Sequence, residues 1–123
     1  MRLIVGTDST WSLRAWICAY IAGIEMETQV IDLTKPEAKE QLKLMSPTGL
    51  VPALTTDNNY VIYDSLAISE YLNELSGGKL LPQSESQRAE ARSLCCEMHS
   101  GFVALRTYCC LLYTSDAADE PLC

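Results

Sequence analysis

Two short stretches carry residue types from which a binding site can be built. The first is Leu50-Val51-Pro52-Ala53-Leu54, a proline between apolar residues at the head of a strand. Proline has no N–H to give to a ladder, so it belongs at the first strand position or on an edge. An X-Pro bond is also the one peptide bond that adopts cis readily. In cis, the Val51 backbone turns outward, and its N–H and C=O can pair with an extended ligand in the manner of an added strand. The second stretch is Tyr63-Asp64-Ser65-Leu66-Ala67-Ile68, a strand end running into a helix that starts at Asp64-Ser65. A helix start exposes unpaired N–H groups and favours an anion. Together the two stretches can hold a peptide-like molecule along its backbone and grip its carboxylate. The plainer alternatives are an ordinary strand entry at Pro52 and a capping pair at Asp64-Ser65. The proline puts binding ahead of both.

These pieces need elements to hold them. Arg2 to Val5 reads as a short buried strand, and Gly6 to Thr10 as a polar turn. Leu13, Trp16, Ile17, Tyr20, Ile21 and Ile24 recur at helical spacing and predict a helix closed by Gly23. Thr28 to Leu33 alternates with β-branched residues and predicts a strand. At Thr34-Lys35-Pro36-Glu37, a threonine cap, a first-turn proline and a glutamate three residues on predict a helix running to about Met45. Pro52 to Thr56 and Tyr60 to Tyr63 flank the turn Asp57-Asn58-Asn59 as a hairpin. Ile68, Tyr71, Leu72 and Leu75 then mark one helical face, which ends at Ser76-Gly77-Gly78. The order is βαβ, helix, ββα. A crossover makes the first two strands parallel, and the hairpin is antiparallel. Residues 79–86 read as a linker. One further helix is expected from Gln87 to about Thr107, with Leu94, Cys95, Met98, Phe102 and Leu105 on one stripe.

The 123 residues are 48% hydrophobic and 20% charged, which fits a soluble globular chain with matter for a core. A net charge of −7 argues against a nucleic-acid partner. No apolar run is long enough to span a bilayer, and Arg2 opens a strand rather than a signal peptide, so no membrane partner and a cytoplasmic location are expected. The six cysteines form no C-x-x-C pair and read as reduced thiols. With His99 the single histidine, no metal site is expected.

The order of elements, with Val51-Pro52 ahead of the hairpin and Asp64-Ser65 at the last helix, resembles the N-terminal thioredoxin-like domain of cytosolic glutathione transferases. Ser9-Thr10-Trp11-Ser12-Leu13-Arg14-Ala15-Trp16 resembles the serine-type signature of bacterial and zeta-like members. Ser46 to Leu54 is similar to the pattern N/S-P-x-G-x-V-P-x-L, and Asp64 to Leu72 to the pattern E/Q/D-S-x-A-I-x-x-Y-L. The resemblance implies an α/β fold: a thioredoxin-like glutathione-binding domain over 1–78 with a mixed four-stranded sheet, a linker over 79–86, and the first helix of a truncated all-α domain over 87–109. It implies glutathione as co-substrate, a small electrophile as second substrate, and a homodimer for the intact parent. The reaction would be attack of the glutathione thiolate on the electrophile, or glutathione-dependent isomerisation, with the chain itself a fragment of low activity.

Residue by residue, the resemblance makes Ser9 the hydroxyl that stabilises the thiolate, ahead of Thr10 and Ser12, any of which could instead be a plain N-cap. Val51 and Pro52 would hold the cysteinyl part. Ser65 would take the γ-glutamyl carboxylate and Asp64 the amine. Lys43 would reach toward the glycyl carboxylate, with a solvated helix face as its alternative. Arg14 reads as structural, Trp11 as a ligand border or core cover, and His99 as a surface residue. A non-catalytic interaction module on the same fold is the rival reading. A thiol-disulfide oxidoreductase lacks its C-x-x-C.

The end of the chain resembles something else. Cys110-Leu111-Leu112-Tyr113-Thr114-Ser115-Asp116-Ala117-Ala118-Asp119-Glu120 is similar to the translation of a transposon-based sequencing-library adapter. The resemblance implies that the reading frame leaves its gene near Cys109, that 110–123 is a non-native tail, and that Cys110 and Cys123 carry no functional weight.

Overall fold

A computed structural model describes residues 1–109; the adapter-like tail expected over 110–123 lies outside the described residues. Four strands, β1 (Arg2–Gly6), β2 (Glu27–Ile31), β3 (Ala53–Thr55) and β4 (Val61–Tyr63), form one mixed sheet in the order β2-β1-β3-β4. β1 and β2 run parallel, joined through the crossover helix α1 (Thr10–Ala22). β3 runs antiparallel to both β1 and β4. The remaining helices are α2 (Ala38–Met45), α3 (Ser65–Leu75), α4 (Glu85–Ser100) and α5 (Val103–Cys109).

The pleat of β1 sorts its side chains into two cores. Leu3 and Val5 face α1 and α3 and pack with Ala15, Ala19, Leu54, Ile68 and Leu72. Ile4 points the other way, to Ile31, Ala38, Leu42 and Ala53 under α2. A strand covered on both faces must be apolar throughout, which is why β1 shows no alternation in sequence. At its end, Gly6 leaves no room for a side chain. A Cβ there would sit 2.5 Å from Leu33 Cδ1 and 2.9 Å from Val51 Cγ2. Gly6→Ala is therefore expected to cost about 1–3 kcal/mol of stability through overpacking, read as a lower urea midpoint.

The inner face of α1 is Ser12, Ala15, Ala19 and Ala22, while Leu13, Trp16, Ile17, Tyr20 and Ile21 are exposed. Both sets recur at helical spacing, and only the small residues let the helix backbone lie close against β1 and α3. The helix expected to begin at Thr34 starts at Ala38 instead. Thr34 is taken by Asp32, whose Oδ1 accepts from its hydroxyl at 2.6 Å and its N–H at 3.1 Å, so a local turn replaces the cap. That turn holds the Asp32 carboxyl below its ordinary range, first through the Thr34 hydroxyl bond. β2 ends at Ile31, before the expected Leu33. The single helix expected from Gln87 to about Thr107 is two, α4 and α5. They break at Gly101, where a Cβ would meet the Glu97 carbonyl at 2.7 Å, and at Phe102, with φ 58°. Leu94, Phe102 and Leu105 of the expected stripe are exposed, and only Cys95 and Met98 are half-buried.

Candidate functional site

The two stretches singled out in sequence meet across one cavity. The Val51–Pro52 bond is cis. The β1–β3 ladder starts at Ala53, so Val51 lies outside it, and no described residue hydrogen-bonds its N–H or C=O. Opposite stands the start of α3. Asp64 is its N-cap, with φ 79°, and its Oδ1 accepts from the N–H of Leu66 at 2.8 Å and of Ala67 at 3.3 Å. Ser65, the first residue of the helix, is 5% exposed, and its hydroxyl makes no hydrogen bond among the described residues. The cavity between them measures about 390 Å³ and is lined by Trp11, Val51, Pro52, Asp64, Ser65 and His99, among others. It can take a ligand of short-peptide size, offering backbone pairing on one wall and a helix N-terminus on the other.

Ser9 and Lys43 stand apart from this wall. Ser9 caps α1, is 6% exposed, and its Oγ accepts from the Ser12 N–H at 3.2 Å. It accepts in that bond, which leaves its O–H free to donate. Ser12 is occupied, its Oγ accepting from the Gly6 N–H at 3.0 Å. None of Ser9, Thr10 and Ser12 lines the cavity, although Trp11 between them does. Lys43 Nζ pairs with Glu40 Oε1 at 2.8 Å in the last turn of α2, and it does not line the cavity either. That pair holds the Glu40 carboxyl below its ordinary range.

His99 corrects its expectation as a surface residue. It is half-buried, and its Nε2 lies 2.8 Å from Asp64 Oδ2. Its ring meets Trp11 edge to face, with centroids 5.1 Å apart at 82°. Arg14 and Arg106 each stack their guanidinium on the same indole, at 4.1 and 4.2 Å. Burial lowers the pKa of Arg14, and the charge of Arg106 lowers it further. Its Nη1 is buried with no partner among the described residues. No spacing in the sequence points to this cluster, because α1, α3, α4 and α5 meet only in the fold. A smaller cavity of about 190 Å³ lies between α1, α3 and α4, with Arg14, Cys18, Cys95 and Met98 on its walls.

The family described as glutathione S-transferase, N-terminal domain, matches residues 8–75, more than half of the chain. The chain belongs to this family. Among curated relatives it is 39% identical over 92 residues to glutathione S-transferase 1 of Dianthus caryophyllus, covering 72% of this chain and 41% of that protein. Among solved structures it is similar to a bacterial maleyl pyruvate isomerase described as a zeta-class glutathione S-transferase, at 29% identity and TM-score 0.75, covering 99% of this chain and 59% of that one. A glutathione transferase homologue from Burkholderia, solved with bound glutathione, is 28% identical with TM-score 0.69, covering 85% and 55% of the two chains. The chain spans less than half the length of the curated relatives it matches. The mixed sheet, helix arrangement and helical segment that follows are those of the thioredoxin-like glutathione transferase fold.

Proposed function

We propose that the chain carries the glutathione half-site of a serine-type glutathione transferase. The observation behind this reading is the unpaired Val51 backbone standing across one cavity from the start of α3. A tripeptide with a carboxylate and an amine at one end fits those two walls. Val51 and Pro52 hold the cysteinyl part, Ser65 and the first turn of α3 take the γ-glutamyl carboxylate, and Asp64 takes the amine. Ser9 donates its free O–H to the sulfur at the start of α1, which favours the thiolate, the nucleophilic form. Lys43 serves the glycyl carboxylate once released from Glu40. The bound glutathione in the Burkholderia homologue and the zeta-class isomerase among the solved structures support the reading.

In the intact parent, a cytoplasmic homodimer with a full helical domain beyond residues 79–86, the thiolate attacks a small electrophile or isomerises it. Retention on glutathione-agarose tests the half-site. The chain is expected to be retained and eluted by free glutathione, and Ser65→Ala to lower retention severalfold. Retention that ignores Ser65→Ala would sink the assignment and favour a non-catalytic interaction module.

A further inference from the structure

Both carboxylate oxygens of Asp64 are engaged before any ligand arrives. Oδ1 holds the first turn of α3, and Oδ2 faces His99 Nε2 at 2.8 Å. A carboxylate has no proton to give, so Nε2 is the donor in that bond. The imidazole is held in turn by its edge contact on Trp11, and Trp11, Asp64 and His99 all line the same cavity. Oδ2 retains a second lone pair for a further donor. We propose that His99 is a positioning residue: its bond to Oδ2 fixes the Asp64 carboxylate so that the remaining lone pair meets the primary amine of a γ-glutamyl peptide. The physical effect is preorganisation. A carboxylate already fixed on three donors loses little freedom when it accepts a fourth. The site then selects for the amine rather than for the peptide as a whole. This rests on the assignment of Asp64 under Proposed function.

The test is calorimetric titration of the full 123-residue chain with two ligands. One is glutathione; the other is glutaryl-cysteinylglycine, which keeps the thiol and both carboxylates and lacks only the amine. The wild-type chain is expected to prefer glutathione about tenfold. His99→Phe keeps a ring against Trp11 and deletes the donor. It is expected to cut the preference to about twofold or less by weakening glutathione alone, and His99→Gln, which retains a donor, to restore most of it. A full preference in His99→Phe, or equal weakening of both ligands, overturns the role of His99. A wild-type chain that does not distinguish the ligands overturns the Asp64 assignment instead. A second readout needs no variant. His99 is the single histidine, so its imidazole nitrogen signals are identified at once by NMR. Glutathione is expected to shift Nε2 and the analogue to leave it in place; equal shifts overturn the proposal.

Discussion

Exchange of Asp64 for asparagine is expected to weaken glutathione binding by about tenfold or more while leaving stability within about 0.5 kcal/mol. The two effects separate because Asp64 does two jobs with two oxygens. Oδ1 caps α3 through Leu66 and Ala67, and an asparagine oxygen caps about as well. Asparagine also tolerates the φ of 79° found there. What it lacks is the negative charge that pairs with an ammonium. Asp64→Ala removes cap and charge together and places alanine in a left-handed conformation, so about 1–3 kcal/mol of stability should go as well. Calorimetry and urea titration of both variants check this. An asparagine variant that binds as tightly as the wild-type chain would remove Asp64 from the ligand.

Leu54→Ala is expected to cost about 2–5 kcal/mol, a large share of the total for a domain of this size. Leu54 is fully buried, registers with Leu3 on one side and Ile62 on the other, and packs with Ile68 and Leu72 under α1 and α3. Neighbours on that many elements cannot all close the space it would leave. The urea midpoint should fall with an unchanged slope. Leu44→Ala, at a position 89% exposed, is the control and should change stability by less than about 0.5 kcal/mol.

Much of the fold and half of the site are legible without coordinates because they are written in local chemistry. Pro52 cannot donate to a ladder, Asp64 and Ser65 suit a helix start, and Asp57-Asn58-Asn59 suits a turn, wherever the rest of the chain goes. The left-handed φ of 62° at Asn59 is of that kind. What the sequence left open or misread depended on a partner. For α1, the large apolar stripe and the stripe of small residues have the same period, so spacing leaves the inner face open. Close packing on β1 and α3 selects Ala15, Ala19 and Ala22. At Thr34 a competing bond to Asp32, two residues back, outweighed the capping pattern.

The sequence by itself therefore determined the order of strands and helices as far as α3, the break in pairing ahead of Ala53 and the start of α3 at Asp64-Ser65, since each follows from residues within a few positions of one another. The tertiary structure alone decided which face of α1 turns inward and which distant side chains join the cavity. His99 reaches Asp64 across 35 positions of sequence, and Arg14 and Arg106 share one indole. Such meetings are set by how helices pack, and a sequence pattern records period and polarity but not the direction from which a neighbour arrives.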